Sequence, residues 1–396
     1  MPVRNSARKI LFAAASVVAV SSLVHAQTSG SWAVEADGNW SDATKWSPAV
    51  PDGGGVATFE PLQTFILAAP RTVTQDLATV TLDKIIYNTP FTFVLRAPVA
   101  SPTNSITLTG SAEVRHSVTP TFAWNTQTNG QLMSIALSGS AGMLRTGPGI
   151  VSMTVANTYS GNTTFQGSSV TRITVGDGAF GSPTGQLNFN DGTIRVGSAA
   201  LTSARQINLI GGGTIETTAS GASTLSGLIT GAGSFNKMGS ALLTITGAGD
   251  YTGPTFIGSG SVIYSGNGAA TATSSIVSNG TITLDNSGTN VANRINDASG
   301  ITFTGSGLIM TGNAAGSAET LGVATFAQGI TTIGTTPNAA AGASLTFASP
   351  QRTLGGAAFF RANSMMPIPS SWSTRVFALC QIPMWSSTRS DSRVRR

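Results

Sequence analysis

Apolar and polar side chains alternate along this chain in very short runs. Triplets such as ITL at 106–108, LTI at 243–245 and LTF at 345–347 each place one polar residue between two apolar ones. Successive side chains of a β-strand point to opposite faces, so each triplet would bury two side chains and expose one. A strand this short is stable only when copies of it stack above and below. The pattern therefore predicts an all-β protein built by stacking.

An internal repeat adds a longer period to this pattern. Residues 139–170 align without gaps onto residues 231–262, and Tyr159 falls on Tyr251, 92 residues later. If one turn of a solenoid takes about 23 residues, the repeat corresponds to about four turns. We therefore expect Tyr159 and Tyr251 to occupy equivalent places in successive four-turn blocks. Within the second copy, Leu243 and Ile245 are expected to face the core.

Three architectures can be built from short strands, and their strand lengths distinguish them. A sandwich would show longer strands at regular spacing, and an outer-membrane barrel would show alternation over about 10 residues per strand. The triplets, the long repeat and the glycine-rich corners favour a parallel β-solenoid instead. We predict one elongated solenoid domain over residues 61–360, preceded by a Trp-rich capping segment at residues 27–60.

The stretch GAGSFNKMGSALLTITGAGDYTGPT at 231–255 resembles the autotransporter-associated β-strand repeat. The positions that match its pattern are Gly231, Gly233, Lys237, Gly239, Leu243, Thr244, Gly247, Tyr251, Thr252, Gly253 and Thr255. In the copy at 139–170, Arg145 stands in the lysine position. GNWSDATKW at 38–46 resembles the N-terminal region of surface proteins that carry the repeat. The resemblance implies a right-handed parallel β-helix that is displayed outside a Gram-negative-type bacterial cell.

The distribution of charge argues against a nucleic-acid partner. The formal net charge of the whole chain is +5, but residues 361–396 alone carry six Arg and one Asp, and residues 10–360 have a net charge of −3. The body of the protein therefore offers no basic stripe to a polyanion. The single cysteine, Cys380, leaves no partner for a disulfide within the chain.

The N-terminus predicts export. A basic start is followed by an apolar run over residues 10–24 and a small residue at Ala26. This order is typical of a secretory signal peptide at residues 1–26, with cleavage between Ala26 and Gln27. The apolar run is too short for a stable membrane span, and no later stretch is long enough. We therefore expect an exported mature chain, extracellular or at the cell surface, without an integral membrane span.

Candidate catalytic residues are few. His116 is the one histidine outside the signal peptide, so His-based triads and His-rich metal sites lack partners; we expect His116 in a solvated loop. Asp177 with Asp191, or Asp285 with Asp297, could approach each other on adjacent turns and form the carboxylate pair of a glycosidase. Three of these four residues, however, lie in turn-like sequences where aspartate bonds its own backbone. We predict no catalytic residue, no metal and no cofactor.

These observations leave three functions open. The first is a structural or adhesive passenger-type protein, for which a surface glycan or matrix is a candidate partner. The second is a β-helix enzyme acting on polysaccharide, which would need carboxylates clustered on one face. The third is a secreted glycan-binding protein that uses Trp32, Trp40 and Trp46 as an exposed aromatic platform. If the three tryptophans are buried, they would instead cap the first turn.

The C-terminal segment differs from the rest of the chain. Residues 361–396 contain no glycine, although the chain has 47, and they hold Cys380 and two of the six tryptophans. Because a solenoid needs glycine corners, we predict that this segment is not a further turn. A short basic tail that binds an acidic surface is one interpretation. We favour a frame error or gene truncation, which would leave a disordered tail.

Overall fold

The computed structural model of this protein describes residues 26–60, 70–117, 130–218, 221–353 and 355–362. These residues form successive turns of short strands that wrap three sheets around one apolar core. The strand pairings among them are parallel, with the exception of the antiparallel pairing of Thr28–Trp32 with Trp46–Asp52. The predicted parallel β-solenoid is confirmed.

The strands divide among the three sheets as follows. The first sheet contains Thr28–Trp32, Trp46–Asp52, Gly55–Phe59, Thr79–Tyr87, Ser105–His116, Ala136–Ser138, Met143–Thr146, Thr163–Gln166, Leu187–Asn190, Ile207–Leu209 and Ile229–Gly231. The second contains Gly38–Asn39, Arg71–Thr74, Phe93–Arg96, Gln131–Ser134, Ile150–Met153, Val170–Ile173, Gly192–Val196, Gly213–Thr217, Phe235–Met238, Thr255–Ile257, Ser275–Ser278, Gly300–Thr304, Ser317–Thr336 and Ala343–Arg352. The third contains Thr202–Ser203, Ser223–Leu225, Leu242–Ile245, Ser261–Tyr264, Thr281–Asp285, Gly307–Thr311 and Gly356–Ala362, and the later part of Ser317–Thr336 also pairs in it. Short 3₁₀ helices lie at Ala43–Lys45 and Gly176–Phe180.

One turn of the solenoid takes slightly more than 20 residues. Along the first sheet, the register partners Phe165, Phe189, Leu209 and Gly231 follow one another at intervals of 24, 20 and 22 residues. Each interval places a side chain above the equivalent one of the turn before, and the rings of Phe165 and Phe189 stack with centroids 5.0 Å apart. The predicted spacing of about 23 residues is therefore close to the observed one.

The alternation of apolar and polar residues positions the core as predicted. Leu243 and Ile245 are buried, and Thr244 between them is partly exposed on the opposite side of the strand. Full burial of such an aliphatic side chain contributes about 1.5–3 kcal/mol of hydrophobic free energy. The core is one continuous cluster that runs from Trp32 to Ile333.

The internal repeat is displaced around the solenoid by one sheet. Thr163 lies in the first sheet. Its register partner four turns later is Gly249, which is 86 residues further along the chain. Thr255 lies six residues further on, in the second sheet. The prediction that Tyr159 and Tyr251 are equivalent in four-turn blocks is therefore wrong, because these four turns are shorter than expected. The local contact is nevertheless the same, since each tyrosine hydroxyl lies 2.6 Å from the threonine Oγ1 four residues later.

Both ends of the chain extend beyond the described residues. Arg361 and Ala362, which we assigned to the tail, lie in the last strand and pair with Gly334 and Thr335. The solenoid thus continues two residues past the predicted boundary. The remaining tail, from residue 363 onward, and residues 1–25 of the predicted signal peptide are outside the described part of the chain.

A glycine-to-alanine pair tests how closely neighbouring turns approach. A Cβ on Gly253 would lie 2.1 Å from the carbonyl oxygen of Gly233 one turn below, whereas a Cβ on Gly288 would meet nothing within 4 Å. We expect Gly253→Ala to lower the free energy of unfolding by about 1–3 kcal/mol through overpacking. Gly288→Ala should change it by less than about 0.5 kcal/mol. Urea unfolding of both variants is the measurement, and equal midpoints would contradict the close stacking.

Candidate functional site

The repeat places a basic side chain beneath a corner of the solenoid. Lys237 lies in strand Phe235–Met238, where the alternation turns its side chain inward, and it is fully buried. Its ammonium group donates hydrogen bonds to the carbonyl oxygens of Met238 at 3.0 Å, Gly239 at 2.6 Å and Ser259 at 3.0 Å. Gly239 has a φ of +77°, a conformation that favours glycine and lets the chain turn toward the next sheet. The lysine thus binds carbonyl groups that the corner leaves outside the strand ladder.

Arg145 has the same role at a corner of the first sheet. Its guanidinium group donates to the carbonyl oxygens of Val114, Thr146, Gly149 and Val170, and the residue is fully buried. The basic position of the repeat is therefore a structural device in both copies, although the two copies lie on different sheets.

Neither Lys237 nor Arg145 forms an ion pair with a described carboxylate. The ion pairs among the described residues are Lys84–Glu113, Arg195–Glu216 and Arg205–Asp177. Burial lowers the pKa of Lys237 to about 8 and that of Arg145 to about 9, because loss of water disfavours the charged form. A lysine with a lowered pKa can act as a nucleophile, but the carbonyl groups hold this ammonium inside the solenoid.

The aspartates considered as catalytic candidates are engaged in local structure. Asp177 accepts a hydrogen bond from Arg205 Nε at 2.9 Å, and Asp191 accepts one from the Gly212 amide at 2.8 Å. Asp285 accepts from the amide of Ser287 at 3.0 Å. Each contact fixes a turn or joins neighbouring turns. Within the described ranges, no group of three or more His, Cys, Asp and Glu side chains is arranged to hold a metal ion.

Sequence reasoning missed a buried carboxylate near Asp297. Glu319 accepts hydrogen bonds from the backbone amides of Arg294 at 3.1 Å and Ile295 at 2.8 Å. Burial, and to a smaller degree the charge of Asp297, raises the pKa of Glu319 to about 7. A carboxyl group with such a pKa can serve as a general acid. Here, however, both oxygens face amides in the core, and the residue is only 1% exposed.

Arg294 and Arg205 were missed as well. Arg294 donates to five acceptors, namely Asn286 Oδ1 and the carbonyl oxygens of Gly266, Gly268, Asp285 and Thr289. Arg205 bridges Asp177 to the carbonyl oxygens of Gly181 and Gly185. Arginines that interrupt otherwise uncharged stretches are the sequence feature that could have indicated these anchors.

His116 is buried, and the expectation of a solvated loop is wrong. It ends the strand Ser105–His116, where it follows Val114 on the inward side. Its Nδ1 and Nε2 each lie 3.1 Å from a backbone carbonyl oxygen, those of Ile150 and Thr89. Burial is the main cause that lowers the pKa of His116. Two-residue periodicity, continued from Ile106, could have placed it correctly.

The N-terminal tryptophans form a buried aromatic cluster. Trp32, Trp40 and Trp46 are at most 4% exposed, and the Trp46 ring centroid lies 5.1 Å from that of Trp32 and 4.7 Å from that of Trp40. Trp46 Nε1 donates to the carbonyl oxygen of Trp40 at 2.9 Å, and Trp40 Nε1 donates to that of Pro51 at 3.2 Å. An aromatic platform for sugar would need exposed rings, so this cluster does not present one.

Part of this chain is similar to a known autotransporter. Residues of this chain are 35% identical over 133 residues to the Adhesin BmaC autotransporter of Brucella suis biovar 1 (strain 1330). The alignment covers 30% of this chain and 4% of the relative, so the chain spans a small part of that protein's length. No family model and no solved structure matches the chain.

The passenger-like resemblance is confirmed. It rests on the autotransporter relative together with the parallel β-solenoid. Both fit a passenger-type surface protein. In the part of this passenger-like chain that the structure describes, no helix has the length and hydropathy needed to cross a bilayer.

The pKa of Lys237 predicts a pH dependence of stability. Its pKa is lower in the folded state, about 8, than the ordinary 10.5 of the unfolded chain, so the unfolded chain binds the proton more tightly. Stability therefore rises as pH increases from about 8 to 10.5. Relative to Lys237→Met, we expect the wild type to gain up to about 3 kcal/mol over this range. Urea unfolding of both proteins at pH 7, 8.5 and 10 measures this difference in the free energy of unfolding. Because tyrosine ionisation affects both proteins equally, it cancels in the comparison. A constant difference would contradict the assignment.

Proposed function

We propose that the protein is exported and acts as a structural or adhesive passenger-type protein, extracellular or at the cell surface, without catalytic activity. One observation carries the proposal above all: the basic and acidic candidates Lys237, Arg145, Asp177 and Asp191 are all bound to the solenoid's own groups. Side chains that hold backbone corners together are not free to act on a substrate. The likeness to an autotransporter adhesin supports the same function.

The organisation proposed for the chain agrees with this role. Signal-peptide cleavage between Ala26 and Gln27 would leave the first strand, Thr28–Trp32, intact. Gln27 Nε2 donates to the carbonyl oxygen of Gly54 at 2.9 Å, so the new N-terminal residue would remain attached to the first turns. We propose the segment 27–60 as the cap, because its tryptophans cover the start of the apolar core. Gly231, Gly233, Gly239, Leu243, Tyr251, Gly253 and Thr255 are proposed, with Lys237, as structural positions of the repeat.

A test in the native host separates this function from its rivals. We expect the mature protein to begin at Gln27 and to be digested when intact cells are treated with protease. A gene deletion should reduce attachment to a glycan- or matrix-coated surface. Neutral and acidic polysaccharides should stay intact when incubated with the purified protein. A mature chain that begins at Met1 and stays inside the cell would refute export. Polysaccharide cleavage that Asp191→Asn abolishes would instead establish an enzyme.

A further inference from the structure

A cleft of about 460 Å³ opens where the second sheet turns into the third. Several turns contribute to it, and the side chains that matter are Asn279, Thr281, Ser306, Ile309, Thr332 and Arg361. Corner glycines form the rest of the wall, so backbone is exposed there. The volume falls within the usual range for ligand pockets, about 300–1,000 Å³.

The cleft includes a position where a glycine lies between two threonines. Thr281 pairs with Gly307, and Gly307 pairs with Thr332 one turn later. A Cβ on Gly307 would meet no atom closer than 3.5 Å, and its φ is outside the left-handed region. Neither close packing nor backbone conformation therefore requires glycine here. The result is an open notch between two threonine side chains.

Arg361 supplies the positive charge of the cleft. Arg361 pairs with Gly334, which in turn pairs with Ile309 one turn earlier. The Cγ atom of Arg361 lies 3.2 Å from the position that a Cβ on Gly334 would take. The arginine side chain therefore lies over Gly334 and extends along the third sheet toward Ile309. None of the ion pairs among the described residues includes Arg361. The residues that line the cleft contain no carboxylate. With respect to the described residues, the guanidinium is thus available to an anion.

Threonine side chains add hydroxyl groups to the cleft. Thr281 and Thr332 line it and are partly exposed. Ile309, on the same strand as Gly307, adds an apolar side chain.

We propose that this cleft binds a carboxylate-bearing sugar unit of a polysaccharide. The carboxylate would pair with the guanidinium fork of Arg361, a charge-assisted and directional contact. The sugar hydroxyls would bond Thr281 and Thr332, and the C–H face of the ring would pack on Ile309. The inference rests on the proposed adhesive function and names the ligand class for it.

Binding of a galacturonic acid tetramer to the purified full-length protein, measured by titration calorimetry, tests the proposal. Its methyl-esterified form is the matched ligand, because it has nearly the same size but no charge. We expect the acid to bind and the ester to bind at least about tenfold more weakly, as a charge-assisted hydrogen bond is lost. Absence of binding, or equal binding of acid and ester, would overturn the inference.

Two variants locate the site. Gly307→Thr adds a third threonine between Thr281 and Thr332 and fills the notch. Arg361→Gln removes the charge. Each substitution should weaken binding of the acid at least tenfold. Arg361→Lys should retain part of it. Gly300→Thr is the control, since a Cβ there also meets nothing closer than 3.5 Å and the residue is outside the cleft. Thermal midpoints verify that all variants fold. Binding that survives Gly307→Thr would refute this site while leaving the proposed surface function untouched, because adhesion of cells is measured separately.

Discussion

Backbone hydrogen bonding between successive turns is the constraint on which this structure depends. A strand of three or four residues cannot satisfy its own amides and carbonyls, so every turn needs the turns before and after it. Parallel, in-register pairing then places like residues above one another, as with Ile194 and Ile215. The apolar column follows from this pairing, and so does the need to cover its first turn. Trp32, Trp40 and Trp46 are buried in this first part of the core, in agreement with the cap proposed above.

Corners are where this constraint is hardest to satisfy. Carbonyl groups that leave the ladder lose their strand partners, and buried polar groups without partners are costly. Lys237, Arg145 and Arg294 each donate to three or more acceptors at such places. Some of the chain's scarce charged residues thus serve the backbone. These side chains are bound to the solenoid's own backbone, which agrees with the passenger-type role proposed above.

The sequence was sufficient for the fold class and for the orientation of side chains within a strand. Alternation alone placed Leu243 and Ile245 inward, because a strand has a period of two whatever its surroundings. The sheet on which each copy of the repeat lies was not predictable. The motif determines a local corner and strand, whereas the length of a solenoid turn also depends on the corners between motifs. The burial of Lys237 was also unexpected, because lysine side chains are rarely buried in the core of a protein. The cleft escaped notice because Arg361 was assigned by composition to the tail.

In-register parallel stacking is the central claim, and a cysteine pair tests it most directly. In a Cys380→Ser background, Asn188→Cys and Asn208→Cys would occupy register partners on adjacent strands of the first sheet. Strands about 4.8 Å apart bring such residues within disulfide range. We expect this pair to cross-link under mild oxidation, as read by mass spectrometry of peptides. Asn188→Cys with Thr230→Cys, two turns apart, should not cross-link. A link in the second pair and none in the first would contradict the stacking.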